Sequence, residues 1–250
     1  MNEESELEAL VAMGHVAKAA GAVDMEHLDG RCAAYNYVRI ADLVCAYCKD
    51  CPEQLPLLDW GCGYGQVSWL LRRRGLDILS YDVERRLLRN GIPGLNSLPV
   101  LYGDHPIELP YESSRFGGVL SVGVLEHVSN FDGSLAEINR ILRPGGLLFL
   151  FMLPNKYSWA EWLADRRQIS VHPHKFTFGC TTELLLRHSF EVDKKWRRNV
   201  LPRNLTGHSL WAKQIYGKLY RAIESTDKAL TVIPPICYLS GVIEMVGRKR

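Results

Sequence analysis

The sequence predicts one doubly wound α/β domain, residues 1–250, and three observations carry that prediction. Short, nearly continuous apolar runs alternate with amphipathic helical stretches from about residue 55 onward, the pattern of a parallel sheet covered on both faces. Three glycines at alternate positions, Gly61, Gly63 and Gly65, follow the first apolar run. Acids stand at or near the ends of the first three runs, as Asp59, Asp82 and Asp104. Sheets of this class bind ligands at that edge.

The elements follow in order. Leu55 to Leu58 reads as a short buried strand, and Gln66 to Arg74 as a helix that Gly75 ends. "DILSYDV" (Asp77–Val83) is strand two, "ERRLLRNG" a short helix, "LPVLYGD" (Leu98–Asp104) strand three and "GGVLSVGVL" (Gly117–Leu125) strand four. "GSLAEINRILRPGG" is an amphipathic helix stopped by Pro144 and two glycines, and "LLFLFMLP" is strand five. "TTELLLRHSF" opens on a threonine suited to an N-cap. "EVDKKWRR" and "SGVIEMVGRKR" read as strands six and seven. Two stretches stand outside the alternation. Residues 1–40 read as a helical cap over the cleft, and roughly 200–236 as an insertion before the last strand. The core for a cofactor is then 55–155, with acceptor-side segments and the last strands in 156–250.

Composition excludes other classes. With 47% hydrophobic and 23% charged residues the chain is neither disordered nor fibrous. "LLFLFML" is too short to cross a bilayer, and the acidic start "MNEESELEAL" lacks the features of a signal peptide. Seven cysteines suit free thiols in a reducing compartment, so the expected location is cytoplasmic, with membrane association open. The net charge of +2 hides an asymmetry: residues 194–250 carry 12 bases and three acids. Such a segment attracts phosphates, anionic lipid or RNA, unless it is simply a solvated face.

The glycines sit on a strand-to-helix turn, where side chains would keep a ligand from the backbone. A dinucleotide turn needs a glycine where this chain has Gln66. Asp82 can hold ribose hydroxyls, Asp104 an adenine edge, and Asp59 a cationic amino-acid end. Three acids and no loop lysine suit a ligand with those parts and no phosphate.

The chain resembles the class I S-adenosylmethionine-dependent methyltransferases, in the subgroup called type 11. The matching pieces are "LLDWGCGYG", "LSYDVE", "YGDHPIELPYESSRFGGVLSVGVLEHV" and "EINRILRPGGLLFLFMLPN", in that order over roughly 55–155. The resemblance implies a seven-stranded, mostly parallel Rossmann-like sheet with an antiparallel last strand, and S-adenosylmethionine as cofactor. It implies that Asp59, Gly61, Gly63 and Gly65 line the methionine end, Asp82 the ribose, and Asp104 with His105 the adenine. Cys62, Val83 and Val122 join the same cofactor-binding set. The chain departs from the family at Trp60, at Gly117 and at Gly123, where quinone-forming relatives place a metal-holding Glu. No metal is therefore expected with Glu126 and His127, and the Asn-Pro-Pro-Tyr type of motif is absent.

Methyl transfer is an in-line displacement, so alignment dominates, and a hydroxyl acceptor also benefits from a base. His127, after strand four, is the first candidate base, and an orienting or capping histidine is its plainer reading. His174 is the second candidate. His172, Tyr35 and Trp159 are candidate acceptor contacts, with Trp159 and Trp162 forming one aromatic face. Cys45, Cys48 and Cys51, on the tail of a helix beginning near Tyr37, read as packing residues rather than cluster ligands. In the insertion, Trp211, Ile215, Leu219, Ile223 and Leu230 alternate with Lys213, Lys218 and Arg221, an amphipathic pattern suited to peripheral membrane contact through 205–236. The leading expectation is O-methylation of a small-molecule or lipid- or glycan-linked acceptor. RNA methylation, using Trp196 and Trp211 for stacking, and a non-catalytic binding protein are the rivals. Nothing in the sequence fixes an oligomeric state.

Overall fold

The computed structural model describes residues 2–49, 55–105, 107–203, 205 and 209–250. Cys51 and part of the 205–236 insertion lie outside them. Seven strands form one sheet: β1 Leu57–Trp60, β2 Ile78–Asp82, β3 Val100–Tyr102, β4 Phe116–Val122, β5 Leu142–Pro154, β6 Phe190–Arg198 and β7 Val242–Lys249. Their order across the sheet is β3-β2-β1-β4-β5-β7-β6. The pairs among β1 to β5 are parallel, and β7 lies antiparallel between β5 and β6. This is the expected doubly wound sheet with a reversed last strand. Order changes direction between β1 and β4, the crevice where such sheets take ligands.

Alternate residues of the strands feed two cores. Leu57, Leu120, Phe149, Phe151 and Val246 face α1 (Glu3–Ala19), α2 (Arg31–Lys49) and α3 (Gln66–Arg73), and Phe149 stacks on Phe151 at 6.0 Å. Leu58, Trp60, Val119, Leu148 and Leu150 face α4 (Phe131–Ile141) and α6 (Phe178–Arg187), through Leu135, Ile138 and Leu185. Burying one such side chain is worth about 1.5–3 kcal/mol, so each face is held by many small gains. Trp60 fills space in the second core, below the turn that follows it.

Several boundaries differ from expectation, each for a local reason. β1 starts two residues later than the apolar run, so Asp59 lies inside the strand. β3 ends at Tyr102, which leaves Asp104 in the following bend. β4 ends at Val122 because Gly123 turns the chain at φ +67°. The N-cap of α6 is Thr177, which accepts from the Cys180 amide at 3.2 Å, rather than Thr181. The stretch after β2 forms a 3-10 turn, Leu87–Gly91, in place of a helix. α2 begins at Arg31, not near Tyr37, and buries Ile40 and Val44 with Leu57 and Phe149. Its first half is thus part of a core layer, and the helix runs on past residue 40.

The remaining helices gather at the carboxyl edge. α5 (Trp159–Arg166) follows β5, with Ser158 capping it through the Glu161 amide at 3.2 Å. The insertion forms α7 (Leu210–Lys218) and α8 (Tyr220–Leu230), which pack on α2. Asn155, at the end of β5, donates to the carbonyls of Tyr238 and Ser240 at 2.9 and 2.8 Å, tying the insertion's end to the sheet. No helix among the described residues is long and apolar enough to cross a membrane.

Candidate active site

The glycine turn is built from backbone bonds. The amides of Gly61 and Cys62 both donate to the Tyr81 carbonyl of β2, at 2.9 and 3.0 Å, which holds the turn against the neighbouring strand. Gly61, Gly63 and Gly65 all have positive φ, a conformation that a Cβ disfavours. A Cβ on Gly61 would stand 2.6 Å from Val124, and one on Gly65 would stand 2.3 Å from Leu98. At Gly63 the same position faces open space, with no atom within 4 Å. The turn is therefore closed on two sides and open at its middle glycine.

The acids differ in where they point. Asp82 ends β2 and accepts from the Gly63 amide at 2.7 Å and the Glu84 amide at 2.8 Å. Its carboxylate thus sits at the open glycine. Val83 beside it is 54% exposed, and Asp104 and His105 are exposed in the bend after β3. The His105 ring accepts from the amides of Ile107 and Glu108, so it organises its own loop. Asp59, only 2% exposed, turns the other way. It accepts from the Ser68 hydroxyl of α3 at 2.6 Å, and Ser80 donates in turn to Ser68 at 2.8 Å. Burial pushes the Asp59 carboxyl up to about 6, against the pull of Ser68. Asp59 lies under the turn rather than at its mouth, because β1 extends to Trp60 and its side chains alternate. Cys62 is also buried, and burial pushes its thiol well above the usual range.

Across the turn lies the loop after β4. Val124 touches Gly61, and the following 3-10 turn, Leu125–His127, carries Glu126 and His127. The segment before α6 comes to meet it. Phe176 is fixed beside the end of β5, its amide donating to the Pro154 carbonyl and its carbonyl accepting from Lys156, both at 2.8 Å. That anchor places His172 with its ring 6.0 Å from His127, and His174 edge-on to Phe131 at 4.9 Å. His172 Nδ1 hydrogen-bonds Glu161 Oε1 of α5 at 2.9 Å, and Lys175 lies 3.4 Å from the other oxygen.

These neighbours push the titrations apart. The bond to Glu161 raises His172 above its ordinary value, with Glu126 adding to the effect and burial opposing it. Partial burial, then the positive fields of His172 and His174, lower His127. Glu126 is 2% exposed, and burial lifts its carboxyl to about 7, where the neutral form persists near neutrality. Among the described residues Glu126 Oε2 has no hydrogen-bond partner. Groups of one type with divergent titrations are suited to divide acid and base roles.

Residues 58–150 match the family model described as "Methyltransferase domain". The chain is 34% identical over 116 residues to the phthiotriol/phenolphthiotriol dimycocerosates methyltransferase 1 of Mycobacterium ulcerans, covering 44% of this chain and 41% of that protein. It is 33% identical over 119 residues to the fatty-acid O-methyltransferase of Mycolicibacterium smegmatis, covering 44% and 42%. The match thus spans less than half the length of each of these relatives. A SAM-dependent methyltransferase of Thermotoga maritima shares the fold, with a TM-score of 0.57 at 18% identity over 84% of this chain and 89% of its own. Residues 58–150 thus match a methyltransferase domain, on a sheet with the fold of S-adenosylmethionine-dependent methyltransferases.

Within the matched segment the open glycine, the Asp82 carboxylate and exposed Val83 lie together at the carboxyl edge of the sheet. Val122, at the end of β4, is half-buried beside it. The structure brings together three of the residues expected on the acceptor side, His127, His172 and His174, from segments about 45 residues apart. Trp159 and Trp162 remain 37% and 57% exposed, and each is held by a further contact. Trp159 Nε1 donates to the Val200 carbonyl at 2.8 Å, and Arg166 covers Trp162 at 4.7 Å. Tyr35 packs on Tyr220 at 5.3 Å, toward α8. Trp196, expected in the RNA reading to stack on bases, donates to the buried Glu244 at 2.6 Å. Among the described residues no group of three or more His, Cys, Asp or Glu is arranged to hold a metal ion. Cys45 and Cys48 pack against the α1–α3 core. Sequence reasoning missed Glu161 and Lys175. The one available signal for Glu161 was its place on the helix nearest the two histidines.

Proposed function

We propose that the chain transfers the methyl group of S-adenosylmethionine to a hydroxyl of a small-molecule or lipid-linked acceptor. The observation that carries this reading is the imidazole pair, His127 and His172, at the carboxyl edge beside the glycine turn. S-adenosylmethionine bound there would supply a methyl already activated by a sulfonium. The open backbone at Gly63 and the Asp82 carboxylate would hold its amino-acid and ribose parts, and Asp104 with His105 would border the adenine. Asp59 acts from below, by fixing Ser68 and with it the start of α3.

His127, whose titration is lowered by partial desolvation and by the imidazoles beside it, takes the acceptor's hydroxyl proton as the oxygen–methyl bond forms. His172, oriented by Glu161 and favoured by it in the protonated form, faces the same gap and stabilises negative charge that develops on that oxygen. Glu126, buried behind the two imidazoles, adds to the field that favours the protonated form of His172. The bound cofactor would supply the methyl to that oxygen with its sulfur leaving neutral, and His127 would hold the proton. The relatives named as acting on dimycocerosates and on fatty acids support a lipid-linked acceptor.

The test is transfer of label from methyl-tritiated S-adenosylmethionine into a host extract, with products separated by organic extraction, nuclease and protease. Label in the organic phase, lost in His127→Ala, is the expected result. Label released by nuclease would replace this reading with RNA methylation.

A further inference from the structure

Helices α7 and α8 form one nearly continuous rod, joined at Leu219, whose amide still donates to the Ile215 carbonyl at 3.1 Å. Helical spacing assigns its residues to two faces. The inner face packs on α2 and the end of β6. Tyr220 is buried there, Ile223 meets the core, and Lys213 reaches Asp29 at 3.5 Å. Both carboxylates of the rod point inward as well. Glu224 bonds Arg198 and Arg203, at 2.6 and 2.7 Å. Asp227, fully buried, takes Arg203 at 2.7 Å and the amides of Asn199 and Leu201. The amphipathic set expected from the sequence is therefore split, with Ile223 and Lys213 turned inward.

What remains outside is distinctive. Trp211, Ile215 and Leu219 stand at successive four-residue steps and are 68%, 49% and 52% exposed. Lys218 is exposed within that stripe, Arg221 and Lys228 are exposed on the adjoining flank of the rod, and Val232 is exposed just beyond its end. The outer face is thus aromatic, aliphatic and cationic, with none of the rod's own acids on it. Arg221 alone meets an acid there, Glu3 of α1, at 3.3 Å. Its position also matters. Lys213 contacts Asp29, the turn holding Asp29 also carries His27, and His27 bonds Tyr37, which bonds Gln66 at the foot of the glycine turn. The rod flanks the cofactor cleft.

We propose that the outer face of α7–α8 is a docking surface for an anionic lipid bilayer, set beside the cleft so that a lipid-linked acceptor reaches it from the membrane. The acceptor clause rests on the function proposed above; the docking does not. Apolar side chains with Lys and Arg around them are the chemistry of an interfacial helix on anionic lipid, where insertion and charge attraction add. A second protein surface would have to match an exposed tryptophan, two aliphatic side chains and the cations beside and flanking them at once, whereas an anionic headgroup layer does so anywhere along it.

The experiment is co-sedimentation of the full chain with vesicles of equal parts phosphatidylglycerol and phosphatidylcholine, and with phosphatidylcholine vesicles alone. Two double variants are compared, Trp211→Asp with Ile215→Asp, and Lys218→Glu with Lys228→Glu. Retained binding of S-adenosylhomocysteine shows that each is folded. The expected result is binding to the anionic vesicles that weakens with salt, disappears in the first variant and falls by about fivefold or more per reversed cation in the second. No sedimentation of the wild type with anionic vesicles at low salt overturns the proposal, as does undiminished binding by both variants. Light scattering that shows a dimer, dispersed by the first variant and without vesicle binding, assigns the face to a second copy instead. Vesicle binding needs no turnover, so its loss and a failure of label to enter the organic phase are separable results.

Discussion

The two halves of the cleft are held in different ways. On the proposed cofactor side, between β1 and β3, the turn is fixed by its own amides, which donate to the Tyr81 carbonyl and the Asp82 carboxylate, and by Gly61 and Gly65, which leave no room for a Cβ. On the acceptor side, the functional groups are brought together by side chains, His172 to Glu161 and Phe131 to His174, on segments that meet only through folding. A cofactor common to many reactions suits a rigid backbone mould. An acceptor that differs from one enzyme to the next suits side chains on loops over a fixed scaffold. The comparison also predicts which substitutions damage what: changes in the turn should act on cofactor binding and stability, and changes across the cleft on turnover alone.

The largest effect that would sharpen this contrast is expected at His127. His127→Ala should lower the turnover of label transfer by about 10²–10⁴ while leaving S-adenosylhomocysteine affinity unchanged in calorimetry. Full turnover in a protein that binds cofactor normally would remove the base role. Gly65→Ala should do the reverse. A left-handed backbone costs a residue with a Cβ about 1–2 kcal/mol. Overlap with Leu98 adds about 1–3 kcal/mol more, so thermal stability and cofactor affinity should fall together. An unaltered melting temperature would show that the turn relaxes more freely than its geometry suggests.

A smaller effect concerns buried charge under the turn. The carboxyl of Asp59 titrates higher in the folded chain than its ordinary value, at about 6. The folded state therefore holds this proton after the unfolded state has lost it, and stability falls as pH rises from about 4 to about 6. Relative to wild type, Asp59→Asn should flatten the melting temperature across that window, with a difference of at most about 3 kcal/mol. Parallel profiles for the two proteins would place Asp59 in contact with water.

The smallest expected change is at Glu161. Glu161→Gln removes the partner that raises His172, while Lys175, Glu126 and His127 still face that ring. The alkaline limb of the pH profile should move to lower pH, because His172 then loses its proton earlier. S-adenosylhomocysteine affinity should not change. An unmoved limb would assign His172 a packing role.

Much of the glycine turn was legible in the sequence. Glycines at alternate positions after an apolar run fix a turn by themselves, and Asp82 sits where strand two ends whatever the rest of the chain does. The direction of Asp59 was not legible, because "LPLL" is apolar at three of four positions and gives no phase for a strand of four residues. The acceptor side was read in part. "VHPH" and "LEH" announced histidines in loops at the right edge, but Glu161 reaches His172 across 11 residues of chain that follow no helical period. The insertion was read as one amphipathic stripe. Its two acids turn inward only because Arg198 and Arg203 wait at the end of β6, and no local pattern shows that pairing. Propensity and spacing specify backbone shape, whereas contacts between distant side chains emerge only from the fold.

The most direct test of the whole scheme is calorimetric titration of the purified chain with S-adenosylhomocysteine, beside Asp82→Ala. The expected result is one molecule bound per chain, weakened by about tenfold or more in the variant, as befits loss of a charged hydrogen-bonding partner. Absence of binding to the wild type, or equal binding by both proteins, would contradict the assignment of the open glycine turn and Asp82 as the seat of the methyl donor.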